Sequence, residues 1–318
     1  MLGRQVNHLL RKVPPQYPWG DTKPLFRNSD WRMCNLECAI SDRGTPWART
    51  EKAFHFASDA KNVAVLQAAQ IDAVALANNH VLDFDCQGLF ETLTVLDRAG
   101  VKHAGAGRDL DAAIKPAVSE VKGRKIGVIA FTDNLPEWDA AAAHPGIFYL
   151  PIDASDERAG LLLDTISRVR KNVEILVVSG HWGPNWGYEP LAAHVKFGHL
   201  LVDAGADIIF GHSGHVFQGI ELYRGRLIMY CAGNFIDDYA IDEVERNDES
   251  FIFLVHVKNG RISGLTLFPT VIAGCQARLA RGRQCGEIAF KMASLCVKFG
   301  TRTEWHEAER ALEIRIDR

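Results

Sequence analysis

The spacing of apolar and polar positions changes along the chain in a way that predicts alternating helices and strands. Apolar residues recur every three or four positions in "GLFETLTVLDRAG" (88–100), which ends at a glycine, as an amphipathic helix does. Continuous apolar runs such as "DAVALAN" (72–78) and "VEILVVSGH" (173–181) are typical of buried strands. The same spacing predicts helices at 60–70, about 156–170, about 190–204 and about 284–299, and strands at 31–37, 206–212 and about 311–316.

Turn residues complete this outline. "AVSEVKGRKIGVIAF" (117–131) consists of two apolar runs around Lys122-Gly123, which predicts a β-hairpin. Helices and strands alternate through the first two-thirds of the chain, and the last third is rich in Arg-Gly and Asn-Gly turns. This order favours a layered α/β fold with mixed sheets. Because no internal repeat, low-complexity tract or linker interrupts it, we expect a single domain over residues 1–318.

Composition narrows the classes of function. A net charge of -3 over 318 residues gives no basic surface for nucleic acid. Seven cysteines without a CxxC pair argue against a disulfide framework or a zinc-thiolate site and favour a reducing compartment. The opening residues lack the apolar core of a signal peptide, and no segment reaches the roughly 18 apolar residues of a membrane span. We therefore expect a soluble cytoplasmic protein.

Polar side chains recur just after the strand-like runs. In open α/β sheets ligands bind at the carboxyl ends of the strands, where successive loops converge. Imidazole, carboxylate and amide oxygen are suitable ligands for a divalent ion such as manganese, iron or zinc. Neighbouring glycines allow the tight backbone bends that such a site needs. The polar residues at these strand ends are Asn35, Glu37, Asn78, Asn79, His80, His181, His212, His215 and Asn234.

Each of these residues has an ordinary structural alternative. A lone histidine after a strand, such as His181, is more often a hydrogen-bonded structural residue than a ligand, and Asn-Asn is a common turn signal. The recurrence of metal-type or acid–base side chains at four separate strand ends is what favours a site. His199 is expected in the core or just behind the site, and Asp237 and Asp238 close to it. The histidines expected to be structural are His8, His55, His103, His144, His194 and His256.

Four stretches occur in the order typical of a known family. They are "NLECAIS", "LANNHVLDFDCQGLFETLTVLDRAGVKHAGAGRDLDAA", "HWGPNWGYEP" and "GADIIFGHSGHVFQGIELYRGRLIMYCAGNF", and they cover most of residues 1 to about 240. Together they resemble the CapA (poly-γ-glutamate capsule synthesis) family, which is similar to the calcineurin-like metallophosphoesterases. The resemblance implies a four-layer α/β/β/α sandwich of two mixed sheets, with a metal centre at the strand ends.

The resemblance also implies roles for individual residues. His80 would be the general acid, and Asp83 would orient its imidazole, a pairing that fixes the tautomer. The cofactor would be one or two divalent ions, with manganese, iron, zinc and calcium as candidates. The implied metal ligands are Glu37, a bridging carboxylate, Asn79, His181, His212 and His215.

The sequence departs from the family pattern in two places. The family begins with a strand that ends in Gly-Asp and is followed closely by "MLGR", whereas this chain starts at "MLGR". We therefore expect the first strand to be missing, which would leave neighbouring backbone unpaired. The "GDxxD" and "DxH" signatures of ordinary phosphoesterases are also absent, so the number of metal ions stays open.

Three hypotheses about function follow. The first is a metal-dependent hydrolase acting on a peptide, polyglutamate or phosphoester, with His80 moving the proton. The second is a peptide epimerase, in which His80 and a second His/Asp pair flank a Cα–H. The third is a non-catalytic assembly factor for poly-γ-glutamate synthesis or export. In an enzyme, Trp182, Asn185 and Trp186 would contact the substrate, although packing is the commoner role for such tryptophans.

Overall fold

Eight α-helices lie in residues 1–316, the part of the chain that the structure, a computed structural model, describes. Four of the five predicted helices are confirmed within a few residues, and the predicted helix at 60–70 is split, because a 3₁₀ turn at Ala60–Asn62 precedes the α-helix. The first, second and fifth helices, which are all short, were not predicted from the sequence. The helices are α1 (Arg4–Leu10), α2 (Lys23–Arg27), α3 (Val63–Ala68), α4 (Asp85–Ala99), α5 (Leu110–Ile114), α6 (Glu157–Arg170), α7 (Ala192–Ala204) and α8 (Gly282–Val297).

In residues 1–316 the predicted hairpin at 117–131 is confirmed. The other predicted strands are present, and each either lies within about two residues of its expected bounds or is shorter. They are β1 (Met33–Asn35), β2 (Ala39–Ile40), β3 (Ala57–Ser58), β4 (Ala73–Ala75), β5 (Lys102–Ala104), β6 (Ala106–Gly107), β7 (Ala117–Val121), β8 (Arg124–Thr132), β9 (Gly146–Ile147), β10 (Ile175–Trp182), β11 (Ile208–Ser213), β12 (Ile220–Tyr223), β13 (Arg226–Met229), β14 (Glu249–Lys258), β15 (Arg261–Ile272), β16 (Ala277–Leu279), β17 (Glu304–His306) and β18 (Ala311–Arg315).

These strands form three larger sheets, so the arrangement is a mixed α/β fold. The first sheet is parallel, in the order β1-β4-β5. The central sheet has the order β12-β13-β11-β10-β8-β7, with four parallel strands between two antiparallel edge strands. The third sheet is antiparallel, in the order β14-β15-β18-β17 with β16 on β15. The sequence predicted two mixed sheets, whereas the described residues form three larger ones, since no described strand joins β1 to β14.

Side-chain alternation in β4 explains how the first sheet is covered on both faces. Val74 is fully buried in a cluster with Leu89 and Leu96 of α4. Ala73 and Ala75 belong to a different cluster, which contains Val177 of the central sheet. Successive side chains of a strand point to opposite faces, so small alanines lie towards the central sheet and large residues lie towards the helices.

The central sheet carries helices on its other face. Leu176 and Val178 of β10 are fully buried with Leu162 of α6 and Leu201 of α7. Removing such a side chain typically costs about 2–5 kcal/mol of stability, so this layer is a main source of stability. It holds β10 and β11 rigidly side by side, and both strands end at the polar residues singled out from the sequence.

A cavity of about 670 Å³ lies between β1 and β14. Its floor is apolar and includes Val177, Ile208 and Phe210 of the central sheet. Consecutive residues of both β1 and β14 border it, so their backbone edges, and not only one face of each strand, lie along the cavity. At one end it reaches Asn35 and His212. We call this cavity the inter-sheet slot.

In residues 1–316, none of the helices combines the length and the apolar character that crossing a membrane requires.

Candidate metal centre

Parallel pairing brings the predicted site residues to one edge of the molecule. His181 of β10 lies directly opposite His212 of β11 in the central sheet. In the first sheet, Asn35 lies opposite Ala75, so Asn35 and the turn after β4 are at the same strand end. Because parallel strands share the direction of their carboxyl ends, the loops that carry these polar residues converge. The strand-end pattern read from the sequence is confirmed for these positions.

His181 and His212 form the buried centre of this region. Their Nδ1 atoms are 2.8 Å apart, and the other ring nitrogen of His212 is 2.8 Å from Ser179 Oγ. Burial holds the pKa of His181 well below its usual value, and weaker repulsion from the positive charge of other groups adds to this effect; those groups are His212, His80, His215 and Lys52. Burial also lowers the pKa of His212 to about 3. Both rings are therefore neutral near pH 7, the form in which imidazole binds a metal.

The turn after β11 presents the third histidine. Ser213 has a φ of 110°, a backbone conformation that a residue with a side chain rarely adopts. The His215 backbone N–H donates to the Asn185 carbonyl at 2.7 Å, and its Nδ1 is 3.2 Å from Asn234 Oδ1. The ring lies 5.3 Å from Trp186. The tight turn therefore fixes His215 beside the polar end of the strand that precedes Asn234.

The first sheet contributes a chain of hydrogen bonds. Asn35 Nδ2 donates to Glu37 Oε2 at 2.9 Å, and Asn78 Nδ2 donates to Asn35 Oδ1 at 3.0 Å. Asn78 Oδ1 in turn accepts from the His80 backbone N–H at 3.0 Å. This chain connects the predicted carboxylate ligand Glu37 to the turn that carries Asn79 and His80. Asn78 is therefore a residue that orients the turn.

The predicted pairing of His80 with Asp83 is present. His80 Nδ1 is 2.6 Å from Asp83 Oδ2, and that oxygen also accepts from the Phe56 backbone N–H at 2.6 Å. Phe56 stacks on the imidazole with ring centroids 3.9 Å apart. With Nδ1 held by the carboxylate, Nε2 is the nitrogen of His80 that can give or take a proton.

Two buried atoms test whether a metal ion fits this set of donors. Within the described residues, Asn79 Oδ1 and His181 Nε2 have no hydrogen-bond partner. A buried polar atom without a partner costs about 1–3 kcal/mol, and a ligand bound at that atom would remove the cost. An amide oxygen and neutral imidazole nitrogens are donors that divalent ions of the first transition row accept. The residues present therefore fit a divalent ion.

A tighter group of potential ligands lies elsewhere. In the described part of the chain, Glu304, His306 and Glu313 have ligand atoms within 4.8 Å of one another, on the paired strands β17 and β18. Arg315 is 3.0 Å from Glu313, so a cation already neutralises this partly exposed group. The predicted ligands do not form so compact a group. The argument for a metal site there depends instead on burial and on buried atoms without a hydrogen-bond partner.

The three predicted substrate-contacting residues lie in different surroundings. Trp182 is 3% exposed, packs against Phe131 and Phe197, and donates from its indole N–H to the Tyr230 carbonyl. Its position favours the packing alternative. Trp186 is 44% exposed beside His215, and Asn185 is also exposed. These two residues are therefore open to solvent, whereas Trp182 is not.

Sequence reasoning missed the residues that clamp His181. Thr132 Oγ1 and the Asp133 backbone N–H both donate to the His181 carbonyl, at 2.8 and 3.3 Å. The Asp133 carboxylate accepts from the Gly183 backbone N–H and lies 3.2 Å from Nε2 of His194, a buried histidine expected to be structural. The signal was available, because "TDN" follows the strand-like run of β8 just as the other polar clusters follow theirs.

Two other positions have specific surroundings. Lys52, whose side chain is 10% exposed, pairs with Asp83 at 3.3 Å, and no sequence pattern singled it out. His199 does not reach the site: it pairs with Glu221 of β12 and stacks on Tyr223 with ring centroids 3.9 Å apart. The expectation that His199 lies in the core or just behind the site is corrected to a pairing at the edge of the central sheet.

Comparison with known proteins identifies relatives of the first three-quarters of the chain. Residues 1–239 match the family described as "Bacterial capsule synthesis protein PGA_cap". A "Probable polyglutamine synthesis accessory protein" of Mycobacterium tuberculosis is 37% identical over 231 residues, covering 70% of this chain and 60% of that protein. The "PGA biosynthesis protein CapA" of Bacillus subtilis is 32% identical over 240 residues, covering 75% of this chain and 61% of that protein. The matches thus span about 60% of the length of these curated relatives.

One solved structure that the chain matches is a hypothetical protein from Thermus thermophilus. It is 14% identical, with a TM-score of 0.43, and the match covers 80% of this chain and 87% of that one.

Proposed function

Because the chain belongs to the bacterial capsule synthesis family PGA_cap, we propose that it is a metal-dependent hydrolase in polyglutamate or peptide metabolism. Its substrate would be a peptide, a polyglutamate chain or a phosphoester. The printed names of the relatives in Mycobacterium and Bacillus, which concern polyglutamine synthesis and PGA biosynthesis, support this choice of pathway.

The observation that carries the proposal is the contact between His181 and His212 beside two unpaired buried donors. The two Nδ1 atoms are 2.8 Å apart, and His181 Nε2 and Asn79 Oδ1 have no partner in the described residues. The residues that would hold the ion are therefore His181, His212 and Asn79, with Glu37 and His215 at the rim. A divalent ion bound there would act as a Lewis acid on an ester, amide or phosphoester.

The residues of the chain would supply the proton transfer. Asp83 fixes the tautomer of His80 through the 2.6 Å contact to Nδ1, which leaves Nε2 to exchange a proton with the substrate. Phe56, stacked on the ring, keeps it from rotating and excludes water from one face. Trp186 and Asn185, both exposed, would contact an extended substrate.

A second candidate, a peptide epimerase, is favoured by one observation. Asp133 and His194 form a second His/Asp pair, 3.2 Å apart, behind the His181 turn. Removal and return of a Cα proton needs two acid–base groups, and His80 with His194 would supply them. The buried position of His194 weighs against this candidate, so hydrolysis is the leading proposal.

A panel of substrates tests the proposal. The protein loaded with manganese, zinc, iron or calcium is incubated with a phosphoester, a peptide amide and a γ-glutamyl oligomer in deuterated water. We expect release of phosphate or amine, a loss of at least 100-fold in His80→Ala, and normal turnover in His103→Ala, whose exposed partner is Asp97. Deuterium at Cα without cleavage would favour the epimerase. No reaction in the loaded protein would contradict both and favour an assembly factor.

We also propose the four-layer α/β/β/α arrangement, with the first and third sheets as two parts of one layer. Support comes from the inter-sheet slot, along which lie the edges of β1 and β14 that no described strand covers. One extended strand in this slot would pair with both edges, and its end would reach Asn35 and His212.

A further inference from the structure

Lys52 lies in a segment without regular secondary structure, and its charged side chain is mostly buried. It lies between β2 and β3, next to the exposed Glu51, yet its side chain is only 10% exposed. Burying an ammonium group is costly unless charged or polar partners surround it. The partners of Lys52 therefore indicate why the chain keeps it there.

The ammonium of Lys52 has three partners, and two of them flank the His80 turn. It donates to the Asn79 carbonyl at 2.7 Å and pairs with Asp83 Oδ1 at 3.3 Å. It also lies 5.0 Å from the centroid of the Trp138 ring, a cation–π contact. One group thus holds the backbone just before His80 and the carboxylate that orients His80.

Asp83 depends on this contact. The side chain is fully buried, and Oδ2 is already occupied by His80 Nδ1 and the Phe56 backbone N–H. Within the described residues Oδ1 has no hydrogen-bond partner apart from the ion pair with Lys52. Without Lys52 the carboxylate would have a buried oxygen whose charge nothing compensates. Rotation of the Asp83 side chain towards solvent would remove this cost but would break the contact with His80.

We propose that Lys52 is a positioning residue that locks Asn79 and His80 into one geometry. The proposal rests on the function proposed above for the role of that pair, and it adds a residue that acts through both. Groups that orient ligands and acid–base residues typically change metal affinity or activity about 10–100-fold when removed. Lys52 holds the Asn79 backbone carbonyl and thereby positions the side-chain amide of Asn79. It positions His80 through Asp83.

The first readout does not need a metal. A ring proton of His80 hydrogen-bonded to Asp83 should give a slowly exchanging, downfield proton resonance in the metal-free protein labelled with ¹⁵N-histidine. His80→Gln assigns that resonance. We expect Lys52→Met to lose or broaden it, and Lys52→Arg to keep it, because arginine can still donate to both oxygens. Lys115→Met, at an exposed lysine, should leave it unchanged.

The second readout is manganese affinity, measured by titration calorimetry on the same variants. We expect the dissociation constant to rise at least tenfold in Lys52→Met and less than about threefold in Lys52→Arg and Lys115→Met. In the Asp83→Asn background Lys52→Met should raise the dissociation constant by a smaller factor than in the parent, because only the contact with the Asn79 carbonyl is left to lose. Circular dichroism checks that each variant is folded, and Lys52→Gln replaces Lys52→Met if that variant is not.

The outcomes separate this proposal from the proposed function. An unchanged His80 resonance in folded Lys52→Met or Lys52→Gln would overturn the positioning role, whatever the metal affinity. If the parent protein binds no manganese but the resonance depends on Lys52, the positioning of His80 stands and the metal-dependent function falls.

Discussion

At the residue scale, the site residues that directly follow a strand could be predicted from the sequence, and those in loops could not. His181 and His212 were identified because each follows an apolar run, and their burial and 2.8 Å contact follow from parallel pairing of β10 and β11. Lys52 could not be identified, because its role depends on a fold that brings residue 52 against residues 79 and 83. Asp133 could have been, since it follows β8 directly.

Asp237, expected near the site from its place in the sequence, gives a residue-scale prediction about pH. Burial raises the pKa of Asp237 to about 7, against 3.8 for the ordinary group, although the N-terminal ammonium and the Tyr239 backbone N–H act in the opposite direction. The folded state therefore holds a proton that the unfolded state loses above pH 4. The contribution of Asp237 to stability is therefore highest below pH 4 and is lost as the pH rises towards 7, by up to about 4 kcal/mol.

Asp237→Asn removes this titration. We expect the metal-free variant to be more stable than the parent at pH 8 and nearly equal to it at pH 4, in urea unfolding with a chelator present. Asp242→Asn is the matched control: backbone hydrogen bonds from Glu245 and Val244 lower the pKa of the exposed Asp242, so its replacement should act in the opposite direction. A stability difference for Asp237→Asn that does not change between pH 4 and pH 8 would show that the carboxyl is ionised throughout.

At the scale of elements, long periodic helices and the hairpin were predictable, and short or edge elements were not. The stretch 88–100 satisfied the helical spacing and ended at Gly100, which takes the left-handed conformation that such a cap requires. By contrast, α1 has only seven residues in a polar stretch close to prolines, so its stability comes from packing of Val6 and Leu10 and not from its own pattern. Sheet membership was also beyond the sequence, since it depends on which edges meet.

The edge of β14 gives a prediction at this scale. β14 pairs with β15 on one side and borders the inter-sheet slot on the other. Only alternate amides of an edge strand are hydrogen-bonded to its neighbour. We therefore expect hydrogen exchange along β14 to alternate between slow and fast, whereas 264–267 of β15, paired with both β14 and β18, should be protected throughout. Uniform protection along β14 would mean that another strand occupies the slot.

At the scale of the whole molecule, the mixed α/β fold brings strand ends from two sheets to a single polar region. The first sheet supplies Asn35 and the turn with Asn79 and His80, and the central sheet supplies His181 and His212. The small residues of β4 allow the two sheets to approach each other, which places the two sets of side chains together. Composition and periodicity predict the layers, but the closeness of these ends depends on packing that no local pattern encodes.

The proposed function requires His181 and His212 to bind a divalent metal ion. Elemental mass spectrometry of the purified protein, after dialysis against manganese, zinc, iron or calcium, tests it most directly. We expect one or two equivalents in the parent and less than about a tenth of that in His181→Ala/His212→Ala, because imidazole ligands contribute most of the affinity of such sites. His103→Ala/His256→Ala, at two histidines with partners outside the site, should retain the metal. Equal metal in the parent and in the His181/His212 variant, or none in either, would contradict the claim.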